Sequence, residues 1–166
     1  MNCVDYFTTM ARYNRWMNDR LYQLCNELGD EERKKDRGAF FKSIHGTLNH
    51  ILLGDRLWLG RFRGKPYSAA SLDQELYSDF DALRLERAAT DRDITAWASA
   101  LTEQKLDSPL TYIALSTGEQ RSMSYWLAAM QLFNHQTHHR GQLTTLLRQA
   151  GKDPGVTDLP YTPHAQ

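Results

Sequence analysis

The sequence predicts an all-α protein folded as a four-helix bundle. Four segments of bundle length place apolar residues three or four positions apart, and no internal repeat, low-complexity tract or interior linker interrupts them. With 166 residues, 41% of them hydrophobic, the chain can bury one core, so a single domain over 1–166 is expected. The first and third links between helices are long enough for crossover connections, so a simple up-and-down order is not required.

The first two helices are predicted from apolar spacing and from the residues that end them. The first runs from Val4 to about Leu28, and Gly29 is placed to end it. The second lies within 40–62, FFKSIHGTLNHILLGDRLWLGRF, and ends before Gly64. A charged segment, DEERKKDRG, links the two helices.

The third and fourth helices flank a segment with a different pattern. Ser71 followed by Gln74 suggests a capping box, so the third helix is predicted from there to about 104. The segment DSPLTYIALSTGEQRSM then contains Pro109 and β-formers, which indicates a loop or a short hairpin. The fourth helix is predicted over 124–150, with Gly151 as its stop signal.

Three histidines in the fourth helix raise the question of a metal site. At 100° per residue, His135 and His139 share the apolar, core-facing side, whereas His138 lies on the polar side. Histidines four positions apart lie about 6 Å apart along a helix axis and can converge on one ion. The pair alone fits equally well with two core histidines that are hydrogen-bonded to their neighbours.

The second helix offers a third ligand. His45 lies on its polar side and is expected to be solvated, whereas His50 lies at a border from which it can turn inward. Gly46 and Gly54, one turn to either side of His50, leave room for another helix or a ligand. Three histidines with coordination positions left open are typical of a catalytic rather than a structural metal site.

Polar residues near these histidines are candidates to orient them, because metal-bound imidazoles usually donate their second N–H to an oxygen. The candidates are Asn49, Asp55, Arg140 and Gln142. Asp55 lies on the apolar side of its helix and needs a partner, for which the two alternatives are the metal site and a buried Arg or Tyr. A solvated surface position is favoured for Arg140 and Gln142.

Composition excludes several functions. Lys plus Arg and Asp plus Glu both number 20, so no charge excess favours nucleic acid or an anionic membrane as partner. Cys3 and Cys25 form no C-x-x-C pair, and the N-terminus does not resemble a signal peptide, so a reduced, cytoplasmic protein is expected. No segment suits a membrane span, and no zinc-protease, carboxylate di-iron, phosphate-loop or dinucleotide motif is found.

Several stretches together resemble the DinB/YfiT family of metal-dependent enzymes, which is unrelated to the DNA polymerase that shares the first name. They are YNRWMNDRL, GTLNHILLGDRLWLGRF, SLDQELY with FDALRLER, and NHQTHHRGQLTTLL with PGVTDLP, and they cover nearly the whole chain. The resemblance implies a bundle in up-down-down-up order, a possible homodimer, and a three-histidine site for zinc or nickel, with iron or manganese as further options. The ligand positions fall on His50, His135 and His139, and His138 is an extra histidine that could act as an alternative ligand.

The resemblance also implies a reaction class. Characterised relatives use low-molecular-weight thiols such as bacillithiol or mycothiol in S-transfer or isomerisation. An ion held by three neutral imidazoles would lower the pKa of a bound thiol or water and so supply a nucleophile. The first hypothesis is therefore a thiol S-transferase acting on small electrophiles. A non-catalytic metal-binding or stress-response protein and a metal-dependent hydrolase are the alternatives.

Overall fold

The computed structural model of the chain describes residues 3–163, which are mostly helical with one small sheet. Its helices are α1 (Cys3–Asn26), α2 (Asp30–Lys34), α3 (Ile44–Phe62), α4 (Phe80–Ser99), α5 (Glu103–Leu106) and α6 (Tyr125–Gln149), followed by a 3-10 helix at Leu159–Tyr161. Strands β1 (Pro109–Ile113) and β2 (Gln120–Ser124) form an antiparallel hairpin. The chain is mostly helical, as predicted, and the hairpin adds one small two-stranded sheet to the helices. The ends of the predicted 1–166 domain, 1–2 and 164–166, lie outside the described residues.

The four long helices pack around two separate apolar clusters. Helix α1 contacts α4 and α6, and α3 contacts the same two helices. One cluster includes Trp58, Trp97 and Phe133, and the other includes Met17 and Leu48. Between the two clusters, every long helix contributes buried polar residues, so a polar layer crosses the middle of the protein. The candidate site lies at this level. The up-down-down-up order of a four-helix bundle stays a prediction.

Helix α3 begins at Ile44, within the predicted segment 40–62, and the residues before it form a turn. The Ser43 side chain caps the helix by accepting a hydrogen bond from the Gly46 N–H at 3.0 Å. Just before it, the Lys42 N–H donates to the Ala39 carbonyl at 2.8 Å, and Lys42 has a φ of 64°. This turn places Phe40 and Phe41 beside the N-terminal half of α3.

The predicted capping box at Ser71 and Gln74 does not start a helix. Helix α4 begins at Phe80, where the Asp79 side chain accepts a hydrogen bond from the Ala82 N–H at 2.8 Å. Gln74 instead accepts a hydrogen bond from the Ala70 N–H within an irregular segment, 64–79. Residues of this segment contact α3 at several points, and two of them flank the site described below.

The segment between the last two long helices folds as the hairpin that the sequence allowed. Its register pairs Pro109 with Ser124 and Ile113 with Gln120, and the Tyr125 N–H at the start of α6 donates to the Ser108 carbonyl. The hairpin therefore leads directly into α6. Among residues 3–163, none of the helices is sufficiently long and apolar to cross a lipid bilayer.

Candidate metal centre

Three histidines from two helices converge at the level of the polar layer. The Nε2 atom of His50 on α3 lies 3.1 Å from the Nε2 of His135 and 3.1 Å from the Nε2 of His139, both on α6. One ligand atom from each of the three lies within 4.8 Å of the others. Two nitrogens bound tetrahedrally to one zinc ion would lie about 3.3 Å apart, given Zn–N bonds of about 2.0–2.1 Å. The cluster could therefore hold a metal ion.

The hydrogen bonds made by the opposite ring atoms fix which nitrogens carry protons. His50 Nδ1 lies 2.8 Å from the Leu72 carbonyl, which can only accept, so Nδ1 carries the proton. His139 Nδ1 lies 2.8 Å from the amide oxygen of Gln142 and donates in the same way. In the neutral rings both Nε2 atoms are then unprotonated, and their lone pairs face each other at 3.1 Å. A shared cation would resolve this contact between two acceptors.

Burial keeps the three imidazoles neutral. Burial, helped by the neighbouring His139, lowers the pKa of His50 to about 4, although the hydrogen bond to the Leu72 carbonyl acts in the opposite direction. Burial and the neighbouring histidines lower the pKa of His135 to about 3. The pKa of His139 is also lowered by burial, which the hydrogen bond from its ring to Gln142 opposes. Neutral imidazole is the form that binds metal ions, so all three side chains are in the binding form at neutral pH.

Two glycines of α3 make the space that the cluster needs. A Cβ on Gly54 would lie 2.6 Å from Cε1 of the His135 ring, so only glycine lets this ring approach the helix so closely. A Cβ on Gly46 would meet the Phe41 carbonyl oxygen. Phe41 can thus lie against α3, where its ring stacks on His50 with centroids 3.7 Å apart.

The cluster opens into a cavity of about 590 Å³. His50, His139, His138 and Gln142 line its polar side together with Asp73, and Phe40, Phe41 and Leu72 line its apolar side. Phe40 is 85% exposed and Leu72 is 44% exposed, so apolar side chains surround the entrance. A small molecule could therefore reach the histidines from solvent.

Comparison with known proteins gives the family. The model of the DinB family matches residues 1–166, which is the whole chain. The chain belongs to the DinB family. It is 29% identical over 161 residues to "Protein DinB" of Bacillus subtilis (strain 168), and the match covers 93% of this chain and 91% of that protein. The crystal structure of a DinB-like protein from Bacillus cereus ATCC 10987 has a TM-score of 0.63 and 24% identity, covering 84% of this chain and 90% of that one.

In this DinB family protein, two of the polar candidates support the histidines, one indirectly and one directly. The Asn49 side chain accepts hydrogen bonds from the Leu76 and Tyr77 N–H groups at 2.8 and 2.9 Å, which holds the segment whose Leu72 carbonyl binds His50. Gln142, for which a solvated position was favoured, is partly buried and accepts the hydrogen bond from His139. The sequence could not identify the Leu72 carbonyl as the partner of His50, because every residue carries a backbone carbonyl.

Asp55 and Arg140 belong to the polar layer. The Asp55 carboxylate is fully buried, pairs with Arg87 of α4 and accepts a hydrogen bond from Gln136 at 2.7 Å. Of the two alternatives for Asp55, the partner that the structure places beside it is the buried arginine. Arg140 was expected at the surface but is only 4% exposed, and it donates to Asn14 and Gln136.

The two remaining histidines of these helices differ in exposure. His45 was expected to be solvated, but it is 1% exposed and its Nε2 lies 2.8 Å from the Tyr77 carbonyl. The expectation was wrong because the 64–79 segment covers the polar side of α3. His138 is exposed, as its position on the helix indicated, and the Gln142 amide lies 3.3 Å from its Nε2. His164 lies outside the described residues.

Proposed function

We propose that the protein is a divalent-metal-dependent enzyme whose ion is held by His50, His135 and His139 through their Nε2 atoms. The observation that carries this proposal is the convergence of the three Nε2 atoms, two of which face each other with unprotonated lone pairs. A bound divalent ion would lower the pKa of a thiol or water and supply a nucleophile at neutral pH. Zinc or nickel fits three imidazoles best, and iron or manganese can also bind such ligands.

An enzymatic site is favoured over a purely structural one by the cavity. Structural zinc sites are closed by four protein ligands, whereas this cluster offers three histidines and opens into about 590 Å³ of space. The apolar residues at the entrance, Phe40, Phe41 and Leu72, suit a small substrate with an apolar part. The proposed reaction is transfer of a low-molecular-weight thiol to a small electrophile, in keeping with the family resemblance.

The chain's own residues would serve this reaction by positioning. Leu72 and Gln142 hold the proton on Nδ1 of His50 and His139, so their Nε2 atoms stay free for the ion. The stacked Phe41 ring fixes the plane of His50 and keeps water from one of its faces. Hydrolysis would use the same residues, with water in place of the thiol as the nucleophile and with a different substrate. A cytoplasmic location and a homodimer are part of the proposal.

The metal assignment is tested by elemental analysis of untagged protein purified without chelator. We expect about one divalent ion per chain, lost in His135→Ala and retained in His138→Ala, which removes an exposed histidine of the same helix. Protein that binds no ion even after addition of zinc or nickel would contradict the assignment.

The reaction is tested on protein loaded with the ion found in that analysis. Loss of thiol is followed after mixing small electrophiles with cysteine, glutathione or another low-molecular-weight thiol. We expect turnover that His50→Ala abolishes while its circular dichroism spectrum stays helical. Turnover that persists in metal-free protein would exclude this mechanism. Ester or amide hydrolysis without thiol consumption would favour the hydrolase instead.

A further inference from the structure

A second cavity lies at the other end of α3, between that helix and the hairpin. It measures about 470 Å³ and is lined by residues of α3, of the 64–79 segment and of β1 with the turn after it. The apolar lining residues are Leu57, Pro66, Ala69, Ile113 and Leu115. Its size falls within the range of small-molecule sites, of about 300–1,000 Å³. The three histidines are not among its lining residues.

One charged side chain, Arg61, lines this cavity. Its guanidinium lies 4.4 Å from the centre of the Trp58 ring and 4.2 Å from that of Tyr112. These two rings meet edge to face, with centroids 5.4 Å apart, so the guanidinium sits in the corner between them. Contact with two aromatic rings holds the guanidinium in one orientation.

The Arg61 side chain differs from the arginines before and after it in the sequence, since it has no anionic partner. Arg56 pairs with Glu86, and Arg63 pairs with Asp93 at 3.1 Å. Within residues 3–163, the Arg61 side chain makes no ion pair and no hydrogen bond, and no Asp or Glu lines the cavity. Burial lowers the pKa of Arg61, but an arginine side chain remains charged in proteins. Its N–H groups therefore offer an unused positive charge to an apolar cavity.

We propose that this cavity binds a small organic carboxylate, with the carboxylate on Arg61 and an aromatic or branched apolar body against Leu57, Tyr112 and Ile113. A guanidinium presents paired N–H groups that match the two oxygens of a carboxylate. The apolar walls would bury the rest of the molecule. A simple inorganic anion has no apolar part and would gain nothing from these walls. This site is separate from the proposed metal centre and does not depend on it.

The test uses two probes of the same shape, naphthalene-2-acetate and the neutral naphthalene-2-acetamide. Both are titrated into the full chain while backbone amide and Trp58 indole shifts are followed by nuclear magnetic resonance. We expect the carboxylate to bind at least about tenfold more tightly than the amide, with the largest shifts at Trp58, Ser68 and Tyr112. The titrations are made on chelator-treated protein and on His135→Ala, so that binding of the carboxylate to an ion cannot imitate the result.

Arg61→Met provides the decisive variant, because it keeps an apolar stem and removes the charge. We expect it to abolish the preference for the carboxylate while leaving amide binding within about twofold. Arg63→Met, at the residue that caps the C-terminal end of α3, removes the same charge from an arginine already paired with Asp93 and should keep the preference for the carboxylate. Arg61→Lys, the conservative variant, should retain part of it.

Equal affinity of the two probes for the wild-type chain would overturn the proposal, as would an undiminished preference in a folded Arg61→Met variant. Shifts confined to residues outside this cavity would also overturn it. Because the titrations use chelator-treated protein, they do not depend on a bound ion. Absence of carboxylate binding in this cavity would therefore not contradict the metal assignment, and absence of a metal would not change what the titrations show.

Discussion

Single residues around the candidate metal centre act mainly by placing the three imidazoles. Gly54 admits the His135 ring, Phe41 stacks on His50, and the Gln142 amide oxygen accepts a hydrogen bond from His139 Nδ1. Each contact restricts the rotation of one ring, so the Nε2 atoms converge before any ion arrives. Preorganisation of this kind reduces the entropy that metal binding would otherwise cost.

We predict that Gly54→Ala weakens metal binding without unfolding the protein. The new Cβ would lie 2.6 Å from His135 Cε1, so the ring must move out of its position among the three ligands. We expect the zinc dissociation constant to rise at least about tenfold, as is usual when the groups that orient a ligand are disturbed. A competition assay with a chromogenic chelator measures this change.

Gly141→Ala is the matched control for that substitution, since a Cβ on Gly141 of α6 meets nothing within 4 Å. It should leave the affinity unchanged and raise helix stability by about 0.5–1 kcal/mol. Equal affinities for Gly54→Ala and wild type would show that His135 is not held by this contact.

The depressed pKa values of the histidines predict a weak dependence of metal affinity on pH. Three histidines with ordinary pKa values of about 6.5 would lose affinity several hundredfold between pH 7 and pH 5.5, because protons compete for each ring. Here burial lowers the pKa of His50 to about 4 and that of His135 to about 3, so neither ring is appreciably protonated at pH 5.5. The lowered pKa of His139 reduces its share of the competition as well.

We therefore expect the zinc affinity to fall less than about tenfold over this interval, as measured by calorimetry in buffers of matched ionic strength. A hundredfold or larger loss of zinc affinity would mean that burial does not lower the pKa values of these histidines below that of free histidine. The direction is fixed by the sign of the shifts, since a lower pKa leaves the metal-binding form populated to lower pH.

At the scale of helices, a closed polar network joins α1, α3, α4 and α6 between the two apolar clusters. Arg87 of α4 pairs with two carboxylates, those of Asp55 and, at 2.9 Å, Asp91. The Asp91 carboxylate also accepts hydrogen bonds from Asn14 and Asn18 of α1. Arg140 and Gln136 complete the circuit back to Asn14 and Asp55. Two carboxylates and two guanidiniums balance, so the layer carries no net charge. It lies next to His135 and His139 on α6.

We predict that Asp55→Ala destabilises the fold by about 3–5 kcal/mol, because Arg87 would lose a partner while it remains buried. The side chains of Asp55 and Arg87 are 0% and 3% exposed, so solvent cannot replace the lost carboxylate. Urea denaturation measures the free energy of unfolding. Asp93→Ala, which removes the half-exposed partner of Arg63, should cost less than about 1 kcal/mol. Similar values for the two variants would contradict this account of the network.

Sequence patterns predicted the long helices better than the segments between them. Apolar periodicity located α1, α3 and α6 to within a few residues. It put His135 and His139 on the inward side of α6, and it put His50 at a border of α3 from which the side chain could turn inward. The start of α4 was missed by nine residues, because Ser71 and Gln74 match a capping box that the 64–79 segment does not use. Periodicity describes one helix at a time and cannot show what covers it. For this reason buried His45 and Arg140 were expected in solvent.

At the scale of the whole molecule, the fold does not depend on the candidate site for its core. Both apolar clusters and the polar layer are formed mainly by the long helices, and the three histidines occupy one side of that layer. Small zinc domains, in contrast, have too little core to fold without their metal. The ion would therefore add to the stability of a chain that is already folded.

We predict that metal removal lowers the Tm without loss of secondary structure. At a free zinc concentration one hundred times the dissociation constant, binding to the native state alone stabilises it by about 2.7 kcal/mol. For a chain of 166 residues this corresponds to a Tm difference of about 5–11 °C between zinc-loaded and chelator-treated protein. Scanning calorimetry and circular dichroism provide the two measurements, and His135→Ala should show no difference because it lacks a ligand.

Chelator-treated protein that loses its helical signal at 25 °C would instead assign the ion a structural role, since binding free energy would then be folding free energy. Because the two apolar clusters form without the histidines, we expect the helical signal to persist and only the midpoint to move.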